Sequence, residues 1–319
     1  MQSPEGKFAD RAGTALLFGK ECQAAACIRL AAVVSLWKRK GNEEMEMNWI
    51  TQPIQIEDDF DLDKILDSGQ CFRPCRVQSG EYRFITGSQL LYLRPLGEGE
   101  YQAKCAPGEW ERTWRPYFDL ERSYGSLRRR WAGQAGFAQQ ALDYGQGIRV
   151  LQQDPWEMLI TFILSQRKSI PAIRTGVELL AERFGQVVDT GTERVSLFPS
   201  PAQLAAAAES DLRDCGLGYR TRYIQHAAQA VASGALDLKS LALLPDETLL
   251  AKLMEMDGVG KKVANCVALF GYGRTALAPI DVWIARLIQE DFDGQDPFPQ
   301  YGAEAGILQQ YFFYYKRNG

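Results

Sequence analysis

The sequence predicts an α+β protein: a β-rich, antiparallel N-terminal domain over residues 47–116, followed by a helical domain over residues 117–319. Three observations predict it. Between Ile50 and Ala106, short runs of aromatic and β-branched residues are separated by glycine-containing turns. After Trp110 the apolar spacing becomes helical and stays so. The helical part carries local start signals in which a capping side chain precedes a proline. With 319 residues, 46% of them hydrophobic, the chain can bury one large core or two modest ones.

Taken in order, residues 1–46 hold an Ala/Cys-rich run and the charged stretch Lys38 to Glu44, with no motif beside them. A coherent pattern begins near Met47-Asn48-Trp49, so the extension is expected to be disordered or to result from an upstream start, with Met45 and Met47 at the junction. Its longest apolar stretch, Ala24 to Trp37, is interrupted by Arg29 and falls short of the roughly 20 residues a membrane span needs. Glu5, Asp10 and Glu21 fit a secretory signal poorly, so a cytoplasmic location without membrane contact is expected. Strands are expected at Tyr82–Thr86, Leu90–Leu93 and Tyr101–Ala103. Asp154-Pro155-Trp156-Glu157 opens a helix with Leu159, Ile160, Ile163 and Leu164 on one face, and Ser200-Pro201-Ala202-Gln203 repeats that grammar. Another helix runs from near Asp246 through Leu249, Leu250 and Leu253 and stops at Asp257-Gly258.

Composition excludes several chemistries. The seven cysteines are odd in number and scattered, which favours reduced thiols over a disulfide framework. A single histidine, His226, removes most Ser-His, Cys-His and His-metal mechanisms, and no cysteine pair has zinc-ligand spacing with a histidine nearby. Acid–base or nucleophilic work therefore falls to Lys, Asp, Glu, Tyr or Cys. The net charge of −4 counts against nucleic-acid binding, although basic residues cluster locally at Arg167-Lys168, Arg220 with Arg222, and Lys261-Lys262.

Met256-Asp257-Gly258-Val259-Gly260-Lys261-Lys262 places two glycines in a tight connection between amphipathic helices, where the free N–H groups of the second helix can hold a phosphate. Nineteen residues after Lys262 stands Asp281 in Pro279-Ile280-Asp281-Val282-Trp283, placed to cap a helix carrying Ile284, Leu287 and Ile288. Read singly, Lys262 is a solvated lysine and Asp281 a cap. Together, hairpin, lysine, spacer and Pro-x-Asp resemble the signature of the helix-hairpin-helix glycosylase superfamily, with the hairpin at about residues 246–270.

The chemistry suits these residue types. Breaking an N-glycosidic bond builds oxocarbenium character that a carboxylate stabilises, and a neutral amine can attack C1′ to form a Schiff base. A helix N-terminus, the adjacent Lys261 and a desolvated pocket would all disfavour the ammonium form. Lys261 and Lys262 lie about 100° apart on a helix, so one of them faces the cleft, and Lys262 shares its face with Cys266 at i+4. The resemblance assigns the catalytic roles to Lys262 and Asp281.

Further matches resemble the 8-oxoguanine branch, of bacterial type. The resemblance implies that Gly69, in Ser68-Gly69-Gln70-Cys71-Phe72-Arg73, offers its carbonyl to the N7–H that 8-oxoguanine has and guanine lacks. It also implies that Gln309 reads the base edge, and that Phe313 and Cys266 sandwich the base. Tyr219 would wedge beside the vacated position and Arg220 would contact the estranged base, while Gly258 and Gly260 would meet the DNA backbone. Taken singly, a turn at Gly69, core packing for Phe313 and a half-buried surface tyrosine at 219 are the plainer readings.

The sequence departs from eukaryotic relatives in Arg167-Lys168-Ser169-Ile170-Pro171-Ala172. Arg167 replaces an asparagine, Ala172 replaces a second arginine directed at the opposite base, and Trp283 replaces a phosphate-contacting histidine. No C-terminal cysteine quartet for an iron–sulfur cluster is present. The implied activity is removal of 8-oxoguanine from duplex DNA by base flipping, with β-elimination at the abasic site, by a monomer without metal or organic cofactor. The alternatives are an alkylated-purine glycosylase working through Asp281 alone and a non-catalytic DNA-binding protein. Lys262 speaks against both, since neither needs a site amine.

Overall fold

Strand-forming runs come first along the chain and make a five-stranded antiparallel sheet. Its strands are β2 (Ile50–Gln55), β3 (Cys75–Arg76), β4 (Tyr82–Thr86), β5 (Gln89–Gly97) and β6 (Glu100–Cys105), in the order β2-β6-β5-β4-β3. The computed structural model describes Met45–Glu46 and residues 48–319; the expectations for residues 1–44 and for Met47 lie outside the described residues. Met45–Glu46, placed with the extension from sequence, form strand β1. Among the described residues no helix is long and apolar enough to cross a membrane.

Leu90–Leu93 is an unbroken apolar run because both faces of β5 are covered. Leu91 and Leu93 join Phe84, Ala103, Trp114, Tyr117 and Phe118 in one core. Leu90 and Ile85 face a second cluster with Val188, Val195 and Leu197. Those last residues correct the expectation that the chain stays helical after Trp110. Strands β7 (Val187–Asp189) and β8 (Arg194–Ser196) form a hairpin, and β1 pairs with β7 in parallel. Three-residue strands are too short to show a period-2 signal, and their partner lies far away in sequence. The sequence reading also missed helix α1 (Leu62–Asp67), a six-residue element capped by Asp61 within the β-rich stretch.

The major helices that follow are α2 (Tyr124–Trp131), α3 (Phe137–Tyr144), α4 (Pro155–Ser165), α5 (Ile170–Phe184), α6 (Thr221–Ala232), α7 (Asp246–Met254), α8 (Lys261–Tyr272), α9 (Val282–Asp291) and α10 (Ala305–Asn318). Helix α4 starts where the Asp154 carboxylate accepts from Glu157 N at 2.9 Å, with Pro155 in the first turn where no N–H is missed. Trp156 through Ser165 are all buried, so α4 is the axis of the helical core. At Ser200 a reciprocal capping box with Gln203 is complete.

Arg149 joins the sheet to the helices. Fully buried, it donates to Asp59 O and Asp119 O, both at 2.8 Å, and pairs with Asp58 at 2.9 Å. Beside it, the Gln70 side chain donates to Arg149 O and accepts from Leu151 N. A buried guanidinium is tolerated only with such full pairing. The consequence is that the turn carrying Gly69 is fixed against the start of α4.

Candidate active site

Helices α7 and α8 form the expected hairpin. Gly258 sits at φ 79°, and a Cβ there would stand 2.5 Å from the Tyr223 ring, so both backbone and space require glycine. Gly260 differs. It is extended, caps α8 without a side chain, and a Cβ there would meet nothing within 4 Å. The first N–H groups of α8 have no intrahelical acceptors, and this open side gives a backbone phosphate room to reach them.

On α8 the 100° step separates the two lysines as expected. Lys261 is exposed and Lys262 half-buried, with its Nζ 5.2 Å from the centre of the Phe162 ring. One turn later Cys266 is buried; desolvation pushes its thiol up to about 11 against the opposing pull of Lys262, so it stays a neutral, polarisable wall. Phe162 and Phe270 stack beside it at 5.6 Å.

Asp281 caps α9, its Oδ1 accepting from Trp283 N at 3.0 Å and Ile284 N at 2.9 Å. Capping occupies one oxygen. No donor among the described residues reaches the other, so a cap and a free carboxylate oxygen coexist at one residue.

Gly69 lies at φ 81°, where a Cβ would stand 3.0 Å from the Phe313 ring. Phe313 is half-buried on α10, covered on one side by the Arg317 guanidinium at 5.6 Å. Gln309, one turn earlier on the helix, is only 4% exposed, and its Oε1 is buried with no hydrogen-bond partner. An unpaired buried acceptor costs free energy unless something fills the space before it.

These side chains line one recess of about 340 Å³, its open mouth included: Gly69, Lys262, Cys266, Asp281, Gln309 and Phe313, with Phe162, Phe270, Pro279 and Gln310. The first six were singled out from sequence, on segments up to 244 residues apart (313 − 69). Pro279 entered only as part of the Pro-x-Asp motif, and Phe162, Phe270 and Gln310 were not singled out. Phe162 and Phe270 look like any core residues of apolar helices, and Gln310 is masked by its neighbour Gln309.

The residues expected to meet the DNA backbone and the opposite base form a second group. Tyr219 is half-exposed and lies over the Arg220 guanidinium at 4.3 Å. Arg220 itself is buried, donating to Leu217 O at 3.2 Å and to Gln166 O, so its guanidinium points inward here. Gln166 in turn donates to Gly258 O at 2.9 Å, which links this turn to the hairpin. Arg167 is exposed at φ 52°, a backbone region unusual for a side chain of its size, and hydrogen-bonds to nothing among the described residues. Lys168 donates to Gly216 O at 2.7 Å. Burial, then the nearby Arg220, pull the Lys168 pKa below its ordinary value. Ala172 is half-buried on α5 and Trp283 lies exposed beside Arg286.

Comparison with known proteins gives a consistent result. Residues 53–159 match the family described as 8-oxoguanine DNA glycosylase, N-terminal domain, and residues 160–301 match the HhH-GPD superfamily of base excision DNA repair proteins. A probable N-glycosylase/DNA lyase from Methanothermobacter thermautotrophicus is 28% identical over 81% of this chain and 94% of its own. The solved structure of MBOgg1 in complex with a low-affinity DNA ligand shares 31% identity, with a TM-score of 0.79 over 86% of this chain and 99% of that one. The apo-form 8-oxoguanine glycosylase/lyase of Clostridium acetobutylicum shares 28% identity, with a TM-score of 0.77 over the same shares.

Proposed function

The chain belongs to the HhH-GPD superfamily of base excision DNA repair proteins and is a DNA glycosylase with lyase activity, and on that premise we propose that it removes 8-oxoguanine from duplex DNA. The observation that carries this reading is the convergence of an amine, a carboxylate with one free oxygen and a buried unpaired amide oxygen on one recess.

The flipped base stacks on Phe313, with Cys266 as the opposite wall. Gln309 Oε1 accepts from the guanine edge, and the Gly69 carbonyl accepts N7–H. Lys262 Nζ, as the free amine, donates its lone pair to C1′ while the C1′–N9 bond breaks and its electron pair leaves with the base, which takes up a proton. The free oxygen of Asp281 stabilises the positive charge that grows on the sugar. After proton loss from Nζ its lone pair forms the C1′=N bond as the C1′–O4′ bond breaks, O4′ takes up a proton, and the sugar ring opens to a protonated imine. Removal of a C2′ proton then expels the 3′ phosphate, and water releases Lys262. Phe162 shields this amine from bulk solvent. Gly258, Gly260 and the N–H groups of α8 hold the DNA backbone, Tyr219 occupies the emptied stack, and Arg167 and Arg220 face the estranged base once Arg220 exchanges its inward bonds. The recess is complete within one chain, which supports a monomeric enzyme.

A panel of duplexes tests this. Those holding 8-oxoguanine should lose the base and be cut, while undamaged guanine should survive. Turnover of an alkylated purine without turnover of 8-oxoguanine would replace this reading with the alkylpurine one. Because Ala172 cannot donate, rates opposite adenine and guanine should fall within about tenfold of that opposite cytosine, a bidentate contact being worth roughly 1–3 kcal/mol. A cytosine preference of about a hundredfold or more would reject relaxed selectivity, and its loss in Arg167→Ala would identify Arg167 as the compensating donor.

A further inference from the structure

Residues 67–70 carry four successive carbonyls around Gly69, which lines the recess, and three of the four are held. Arg317 Nη2 donates to Asp67 O, while the Arg317 guanidinium pairs with the Asp67 carboxylate at 3.0 Å. Gln310 Nε2 donates to Ser68 O at 2.5 Å, and Gln153 Nε2 donates to Gln70 O at 2.9 Å. Gly69 O alone has no protein donor among the described residues. Gly69 alone of the four has a positive φ. Gln310 is 2% exposed and sits between Gln309 and Phe313 on α10, so one helix presents the base-facing pair and also grips the facing turn. A buried amide in so apolar a stretch is costly unless spent on a partner, and its partner is the carbonyl next to Gly69.

We propose that Gln310 is a positioning residue that sets the direction of the Gly69 carbonyl relative to the Phe313 face, with Arg317 holding the turn from outside. Through this carbonyl it determines selectivity for a purine that carries a hydrogen-bond donor at ring position 7. Hydrogen bonds weaken steeply once donor and acceptor tilt apart, so freeing Ser68 O lets the next peptide rotate and costs recognition while leaving the amine and carboxylate in place. The inference rests on the assignment of Gly69 O as the acceptor of that donor.

The test uses the full chain with Gln310→Leu and, as a less buried companion, Arg317→Met. Single-turnover rates are measured on 8-oxoguanine, on its 7-deaza analogue, which has C–H in place of N7–H, and on a preformed abasic site. Wild type should favour 8-oxoguanine over the analogue. In Gln310→Leu that ratio should fall about tenfold and in Arg317→Met by a smaller factor, the abasic-site rate should fall by less than the 8-oxoguanine rate in both, and cooperative melting shows that each variant is folded. An unchanged ratio in both variants, with wild type discriminating, would overturn the positioning role alone. Absence of discrimination by wild type would overturn the Gly69 assignment and this inference with it.

Discussion

Replacing Asp281 by asparagine separates two roles that converge on one side chain. The cap uses Oδ1, which accepts from Trp283 N and Ile284 N. Asparagine keeps that acceptor and ranks with aspartate at such positions, so α9 should lose only the charge–dipole part, about 0.3–1 kcal/mol. For a domain of this size that lowers the melting temperature by roughly 2 °C or less. Catalysis loses more, because a fixed carboxylate facing a developing cation is worth on the order of 3–4 kcal/mol, or a hundred- to thousandfold in rate. Asp281→Ala provides the scale: it also removes the cap, at about 1 kcal/mol, with a similar rate loss. Melting curves and single-turnover base release for both variants are the assay. If asparagine destabilised as much as alanine and the rate fell less than about tenfold, the carboxylate would be a cap and the charge argument would be refuted.

Two further predictions concern stability and DNA contact. Burial raises the pKa of Glu157 to about 7 from 4.5, with Arg73 at 3.9 Å opposing only in part. The folded state then binds more protons than the unfolded one between those values, so this residue's contribution to stability falls as pH rises from about 5 to 8, by up to about 3 kcal/mol. Glu157→Gln should therefore gain stability over wild type progressively across that window; a pH-independent difference in denaturant midpoints would contradict it. In the hairpin, Gly258→Ala meets both positive φ and the Tyr223 ring and should cost on the order of 1–3 kcal/mol. Gly260→Ala, in open space, should leave melting unchanged while weakening binding to lesion-containing duplex; equal melting losses in both would show that Gly260 is structural.

Much of this was legible in sequence because it is local. Asp154-Pro155 and Ser200–Gln203 cap helices through side chains three residues apart, and Gly258 is required by its own φ. The i, i+4 pairs Lys262 with Cys266 and Gln309 with Phe313 share helix faces and line the same recess. What sequence reading missed depends on distant partners. The β7–β8 hairpin exists because its valines cover Ile85 and Leu90, about a hundred residues earlier. Phe162 becomes a site residue only when α8 sets Lys262 over its ring. That Arg220 lies buried, bonded to Gln166 O and Leu217 O, likewise has no signal in the sequence.

Lys262, and no other amine, is proposed to form the covalent bond to the sugar. Borohydride reduction during turnover of an 8-oxoguanine duplex, followed by mass mapping of the cross-linked peptide, tests it directly. The expected adduct lies on Lys262, disappears in Lys262→Gln and persists in Lys261→Gln, since Lys261 is exposed and lies outside the recess. An adduct mapped to Lys261, or one that survives in Lys262→Gln, would show that Lys262 is not the nucleophile.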